Sequence, residues 1–136
     1  MKYLLDVNAL VALGFLQHEF HQRVANWLRT LAPREGLELL TCSITELGFV
    51  RVLAQASQYG FTVSHARSLL LRLKAGDVVK FTFISDDHDI ARLPAWVKTP
   101  KQTTDGHLAE LAKANGALLA TLDGRIPRAF LIPPRK

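Results

Sequence analysis

Cysteine is nearly absent from this sequence. Cys42 stands alone in 136 residues, and the five histidines, His18, His21, His65, His88 and His107, are scattered without metal-binding spacing. Neither a disulfide framework nor a zinc scaffold is available, and a reducing cytoplasm is the expected compartment. Long apolar runs are missing as well. The apolar start Met1 to Leu5 meets Asp6 and Asn8 too early for the core of a secretory signal, and nothing approaches the ~18 apolar residues of a membrane span, so a protein neither exported nor embedded is expected. Glycine and proline are sparse, 8 and 6 residues, which excludes collagen-like and low-complexity chains. With no repeat and no flexible linker, a single domain over 1–136 is expected. A chain of this length buries about two thirds of its unfolded surface, enough for a core without staples.

What is present is a 49% hydrophobic, 21% charged chain with 17 Lys and Arg against 12 Asp and Glu. The formal charge of +5 and pI near 9.7 favour polyanionic partners, nucleic acid among them. Arg23, Arg29, Arg34, Lys98, Lys101, Arg125, Arg128, Arg135 and Lys136 are spread along the chain, where they either line one face or solvate the surface.

The apolar pattern alternates between short strands and longer helices. Residues 2–5 form an apolar run that stops at Asp6 and passes directly into a helix ending near Gly14. Val24, Trp27, Leu28 and Leu31 fall at helical spacing over 21–31, closed by Pro33 and Gly36. A strand over 38–42 leads into a helix from Ser43 to about Ser57 with Ile44, Leu47, Val50, Leu53 and Ala54 as its apolar face. Ser64 is the expected cap of a helix ended by Gly76, and 78–84 reads as a mostly buried strand. Ser85 to Gln102 is a long connection. Thr103 or Thr104 is the expected cap of a helix ending at Asn115-Gly116, followed by an apolar strand over 117–122 and a short one over 129–132. Apolar strands alternating with helices imply an α/β fold: a parallel sheet of about five strands covered by helices on both faces.

Four acids stand at the junctions. Asp6 ends the first strand, Glu46 lies in the first turn of the helix after the second, Asp105 starts the helix before the penultimate strand, and Asp123 follows that strand. Each has an ordinary structural explanation: Asp6 as a helix cap, Glu46 as the end of a capping box Ser43-Ile44-Thr45-Glu46, Asp105 at a positive helix end, Asp123-Gly124 as a turn. In a parallel sheet, however, the carboxyl ends of all strands share one edge, which is where ligands bind. Two like charges about 4 Å apart repel by roughly 4 kcal/mol at an effective dielectric near 20, so converging acids call for a cation. An all-oxygen set without Cys or His points to Mg²⁺ or Mn²⁺.

Leu4-Leu5-Asp6-Val7-Asn8-Ala9-Leu10, Ser43-Ile44-Thr45-Glu46-Leu47, Thr103 to Ala112 and Ala120-Thr121-Leu122-Asp123 together resemble the motifs of PIN-domain proteins, specifically the toxins of VapBC-type toxin–antitoxin pairs. The resemblance spans essentially the whole chain. It implies a PIN-like nuclease domain, a Mg²⁺- or Mn²⁺-dependent endoribonuclease acting as the toxin of a type II pair. Asp6, Glu46, Asp105 and Asp123 match the acidic quartet, and Asn8 and Thr104 its supporting positions. Asp6 and Asp105 would hold the metal, Asp123 would bind it directly or through water, and Glu46 would orient or deprotonate the attacking water. Implied partners are RNA, a small cognate antitoxin and a second copy of the chain. Lys98, Lys101, Arg125 and Arg128 are candidate RNA contacts. Gly106 and the Asp123-Gly124-Arg125 run depart from the pattern.

Leu69, Leu70, Leu71 and Leu73, or Trp27 and Leu28, supply apolar surface for a homodimer, while Trp27 and Phe49 read first as core. Asp86, Asp87 and Asp89 around His88 read as a solvated turn, and His107 stands out because it follows Asp105 by two residues. Two other classes compete. An aspartyl phosphatase needs an acid where Asn8 stands, and a phospho-receiver needs a late lysine where Pro127 and Arg128 stand. A non-catalytic RNA- or protein-binding module has no use for four convergent acids.

Overall fold

Backbone pairing orders the chain around its first strand. In a computed structural model describing residues 1–31, 36–77 and 79–134, β1 (Lys2–Leu5) is flanked by β2 (Glu38–Thr41) on one side and β4 (Leu118–Thr121) on the other. The edges are β3 (Lys80–Phe83) beside β2 and β5 (Phe130–Leu131) beside β4, giving the order β3-β2-β1-β4-β5 with every pairing parallel. The helices are α1 (Val7–Gly14), α2 (His21–Leu31), α3 (Ser43–Gln55), α4 (Val63–Lys74) and α5 (Thr103–Ala114). Pro33, Arg34, Val78, Arg135 and Lys136 lie outside the described residues.

The period of two along β1 divides the core. Tyr3 and Leu5 join Leu10, Trp27, Leu39, Phe49 and Leu70 in the larger layer beneath α1 to α4. Leu4 faces the other way, with Leu40, Leu108, Leu111 and Leu119 beneath α5. Both faces of the central strands are covered, which is why these strands are apolar throughout.

Several boundaries differ from expectation for identifiable reasons. The helix expected to reach Ser57 ends at Gln55, and a 3₁₀ turn over Ser57–Tyr59 follows, closed by Gly60 at φ +68°. Its buried side is turned: Gly48, Phe49 and Leu53 face the core, whereas Leu47 is 68% exposed. Gly48 is required there, because a Cβ would stand 2.5 Å from Val7 Cγ2 of α1. Thr62, not Ser64, caps α4, accepting from the His65 N–H at 3.0 Å. β3 is an edge strand with Phe83 half exposed rather than a buried one. Neither Thr103 nor Thr104 caps α5, because the helix grows out of a 3₁₀ turn over Pro100–Gln102 whose own cap is Thr99. Trp27 and Leu28 are core, with Trp27 edge-on to Tyr3 and stacked on Phe130, so they offer no surface to a second copy.

Candidate active site

Asp6 is the first residue beyond β1 and carries two duties at once. Its N–H continues the ladder to the Ala120 carbonyl at 3.1 Å. Its carboxylate caps α1, Oδ1 accepting from the Ala9 N–H at 2.8 Å, and Oδ2 accepts from the Thr121 hydroxyl at 2.6 Å. Only 6% of Asp6 is exposed. Burial pushes its pKa up from 3.8 to about 6, against the two hydrogen bonds and with the added repulsion of Asp105 and Asp123. The capping role expected of this residue is real and leaves its electrostatics unsettled at neutral pH.

Asp105 sits in the first turn of α5, half-buried, at the end of the helix that favours an anion. Burial raises its pKa, and Asp123 raises it further, while Arg125 opposes both. Asp123 is held below the carboxylate range by Arg125, whose guanidinium reaches both oxygens at 2.9 and 3.0 Å and whose backbone N–H adds a third bond. The structure thus brings Asp6, Asp105 and Asp123 within electrostatic reach of one another, from the ends of β1 and β4 and the start of α5.

Glu46 is arranged differently from expectation. The capping box at the start of α3 is formed by Cys42 and Thr45, the Thr45 hydroxyl accepting from the Cys42 N–H at 3.0 Å. Glu46 is therefore released from capping. Its Oε2 accepts from the Thr41 hydroxyl at 2.6 Å and from the Lys74 ammonium at 2.5 Å. Thr41, Thr121 and Lys74, which hold Glu46 and Asp6 in place, are not among the residues the sequence singled out. The two threonines each close a strand, but which acid each donates to is set by the register of β2 and β4. Lys74 carried no signal, because it is paired across 28 positions.

Asn8 and Thr104 are exposed, and among the described residues neither makes a side-chain hydrogen bond. Lys98 and Lys101 are exposed on the segment that delivers α5, and Lys101 is four residues before Asp105. Arg128, at φ +61°, lines a pocket with Lys113 and Leu118, by the far end of α5 and the start of β4. His107 reaches Asp86 at 2.5 Å, so this acid is tied to α5 rather than being wholly solvated. Partial burial works against it, yet the bonds from His107 and the His88 N–H hold Asp86 below the carboxylate range. Gly106 also has its reason. It is buried, and a Cβ there would collide with Val97 Cγ2, so the chain before α5 packs against the turn that carries Asp105.

The donor set is carboxylate oxygen throughout, which suits a hard divalent ion, and burial, with the repulsion of neighbouring acids added, raises the pKa of Asp6 and of Asp105. Among the described residues no three His, Cys, Asp or Glu side chains stand close enough together to hold a metal as arranged. Arg125 occupies Asp123 and Lys74 occupies one oxygen of Glu46. The donor chemistry of the site fits a divalent ion, and Asp123 as arranged is paired with Arg125.

The PIN domain profile matches residues 3–130. Ribonuclease VapC38 of Mycobacterium tuberculosis is 37% identical over 127 residues, covering 90% of this chain and 86% of that protein. Ribonuclease VapC44 of the same species is 35% identical over 131 residues, covering 93% and 89%. Among solved structures, the chain resembles Mycobacterium tuberculosis VapC20, a Sarcin-Ricin loop cleaving toxin, at a TM-score of 0.65, with 12% identity and 98% and 99% coverage. It also resembles VapBC2 of Rickettsia felis, solved with a promoter DNA fragment, at 0.60, with 17% identity and 96% and 97% coverage. The fold is that of a PIN domain, and this chain belongs to that family. Within it, the chain's relatives are the ribonucleases of the VapC type.

Proposed function

We propose that this chain is the endoribonuclease toxin of a toxin–antitoxin pair and hydrolyses RNA phosphodiesters with Mg²⁺ or Mn²⁺ at a centre formed by Asp6, Glu46, Asp105 and Asp123. The observation that carries this reading is Asp6: a nearly buried carboxylate at the end of the central strand, its ionisation opposed by two further acids. Such an arrangement has no use in a non-catalytic binding module. The phosphoryl-transfer reading is disfavoured, since the position two residues after Asp6 is the exposed Asn8.

Asp6 and Asp105 would hold the metal, with Asp123 as a further ligand. A bound divalent ion supplies a lowered pKa for water and compensates charge growing on the scissile phosphate. The chain's own groups do the rest. Thr121 and the Ala9 N–H fix the Asp6 carboxylate, so its direction is set before anything binds. Glu46, with Oε2 held by Thr41 and Lys74, has Oε1 left to orient the attacking water. Asn8 and Thr104 flank Asp6 and Asp105 as supporting polar groups. Lys98, Lys101 and Arg125 contact the RNA backbone, with Arg128 further along the flank; they position the strand without reading its sequence.

The same reading includes a small antitoxin and a homodimer. The proposed place of action is the cytoplasm; no helix among the described residues is long and apolar enough to cross a membrane. For the dimer, Leu47, Val63, Leu71 and Phe83 are 68, 62, 55 and 49% exposed around a groove of about 970 Å³ between α3 and α4. The direct test is incubation of the purified chain with RNA and Mn²⁺, with and without EDTA. Internal cleavage leaving 5′-phosphate ends, abolished by EDTA, is expected. Intact RNA with Mn²⁺, or cleavage indifferent to EDTA, would overturn the assignment.

A further inference from the structure

The acids of the centre are not alone, because one of them is already answered by a cation of the chain itself. Lys74 is in the last turn of α4, at the end of the helix that favours positive charge. Its side chain and that of Glu46 are each 23% exposed, so the pair is withdrawn from water without being sealed. Lys74 Nζ stands 2.5 Å from Glu46 Oε2 and 5.6 Å from the centre of the Phe83 ring, which limits where the ammonium can go. The Thr41 hydroxyl donates to the same oxygen at 2.6 Å. Among the described residues two donors reach Oε2 and none reaches Oε1, which makes the carboxylate asymmetric.

We propose that Lys74 is a positioning residue for Glu46: from α4 it anchors Oε2, together with Thr41, and turns Oε1 toward the cleft, while its charge offsets that of Glu46. This rests on the reading of Glu46 as part of the hydrolytic centre. α4 is thereby tied to catalysis, although none of its residues belongs to the acidic motifs. Lys74 acts through Glu46 and does not touch RNA, so its removal lowers turnover while leaving the RNA concentration for half-maximal rate in place. Its removal also changes the charge of the site, which a metal ion registers without any reaction.

The experiment compares the full chain, Lys74→Met, Lys74→Arg, Glu46→Gln and the double variant Lys74→Met/Glu46→Gln. Methionine keeps the aliphatic body against Phe83, and thermal melts check the fold. Mn²⁺ binding is read by calorimetry without RNA, and kcat and KM are read separately on RNA. Mn²⁺ affinity is expected to follow the charge of the pair: Lys74→Met binds roughly threefold tighter than the unmodified chain, Glu46→Gln weaker, and the double variant close to the unmodified chain. Lys74→Met is expected to lose about tenfold or more in kcat with KM little changed, Lys74→Arg to recover much of it, and the double variant to be no slower than Glu46→Gln. Unaltered kcat and Mn²⁺ affinity in Lys74→Met would overturn the proposal. So would a raised KM with intact kcat, which would make Lys74 an RNA contact. If the unmodified chain binds no Mn²⁺ and cleaves no RNA, the functional reading itself has failed, and that outcome is distinct from both.

Discussion

At Asp6 one side chain is asked to satisfy opposing demands. As a cap it accepts two hydrogen bonds, which favour the anion; as a buried group beside two acids it is driven toward the neutral form, and the second influence wins. The sign follows from linkage. With a folded pKa of about 6 against 3.8 in the unfolded chain, the native state holds the proton longer, so stability is greatest below about pH 4 as far as Asp6 is concerned. It declines as pH rises from about 4 to about 6. Asp6→Asn keeps an acceptor oxygen for the cap and removes the charge, so in the absence of metal it is expected to stabilise the chain at pH 7 by about 2 kcal/mol. Denaturant melts at pH 4.5 and 7 check this: the gain should be present at the higher pH and much smaller at the lower. A destabilised variant at pH 7 would mean that the carboxylate is not under the repulsion described. The acids themselves were legible in the sequence as residues at strand ends and in the first turns of helices. Their partners were not: Thr41 and Thr121 needed the register of β2 and β4, and Lys74 needed the packing of α4 on α3.

At the scale of elements, close approaches of backbone position the site. Gly106 lets Val97 and Pro94 lie directly on the turn of α5 that carries Asp105, and Val97 is β-branched and stiff, so it cannot swing aside cheaply. Gly106→Ala gains helix propensity, yet it is expected to destabilise the chain by about 1–3 kcal/mol through overpacking and to lower cleavage by shifting Asp105. Thermal melts and a cleavage assay together check it; a stabilised and fully active variant would show that the connection yields without moving the helix. Phe49 is the control for ordinary core. It is fully buried in the α1 to α4 layer, and Phe49→Ala should cost about 3–5 kcal/mol. The helices and central strands were readable because their apolar periods are strong. What escaped is local: a cap at Thr62 rather than Ser64, a 3₁₀ turn feeding α5, and a rotation of α3 that exposes Leu47. Each depends on a tertiary neighbour, Val7 against Gly48 in the last case, and periodicity alone does not carry that information.

Over the whole molecule, the proposed mechanism divides the work of binding and hydrolysis between the excess of positive charge and the acids. The acids alone would repel RNA, and in the proposed mechanism the segment carrying the exposed Lys98 and Lys101 brings the backbone to them. Lys98→Ala/Lys101→Ala is expected to raise KM for RNA and to reduce the slope of log affinity against log salt by roughly 1.4 for a single strand, at about 0.7 for each phosphate no longer neutralised. Filter binding across a salt series reads this, and an unchanged slope would assign the two lysines to ordinary surface. Assembly is checked by light scattering, where Leu71→Glu is expected to shift a dimer toward monomer if α3 and α4 form the interface; an unaffected dimer would put it elsewhere. The central claim, that converging acids at the carboxyl edge of the sheet hydrolyse RNA, is tested most directly at Asp105. Asp105 is half-buried and caps nothing, so its loss should spare the fold and strike only the chemistry. The measurement is the Mn²⁺-dependent RNA cleavage rate of Asp105→Asn at pH 7 beside a thermal melt. A rate lowered by about 100-fold or more, with an unchanged or raised melting temperature, is expected. Cleavage at the rate of the unmodified chain would contradict the assignment.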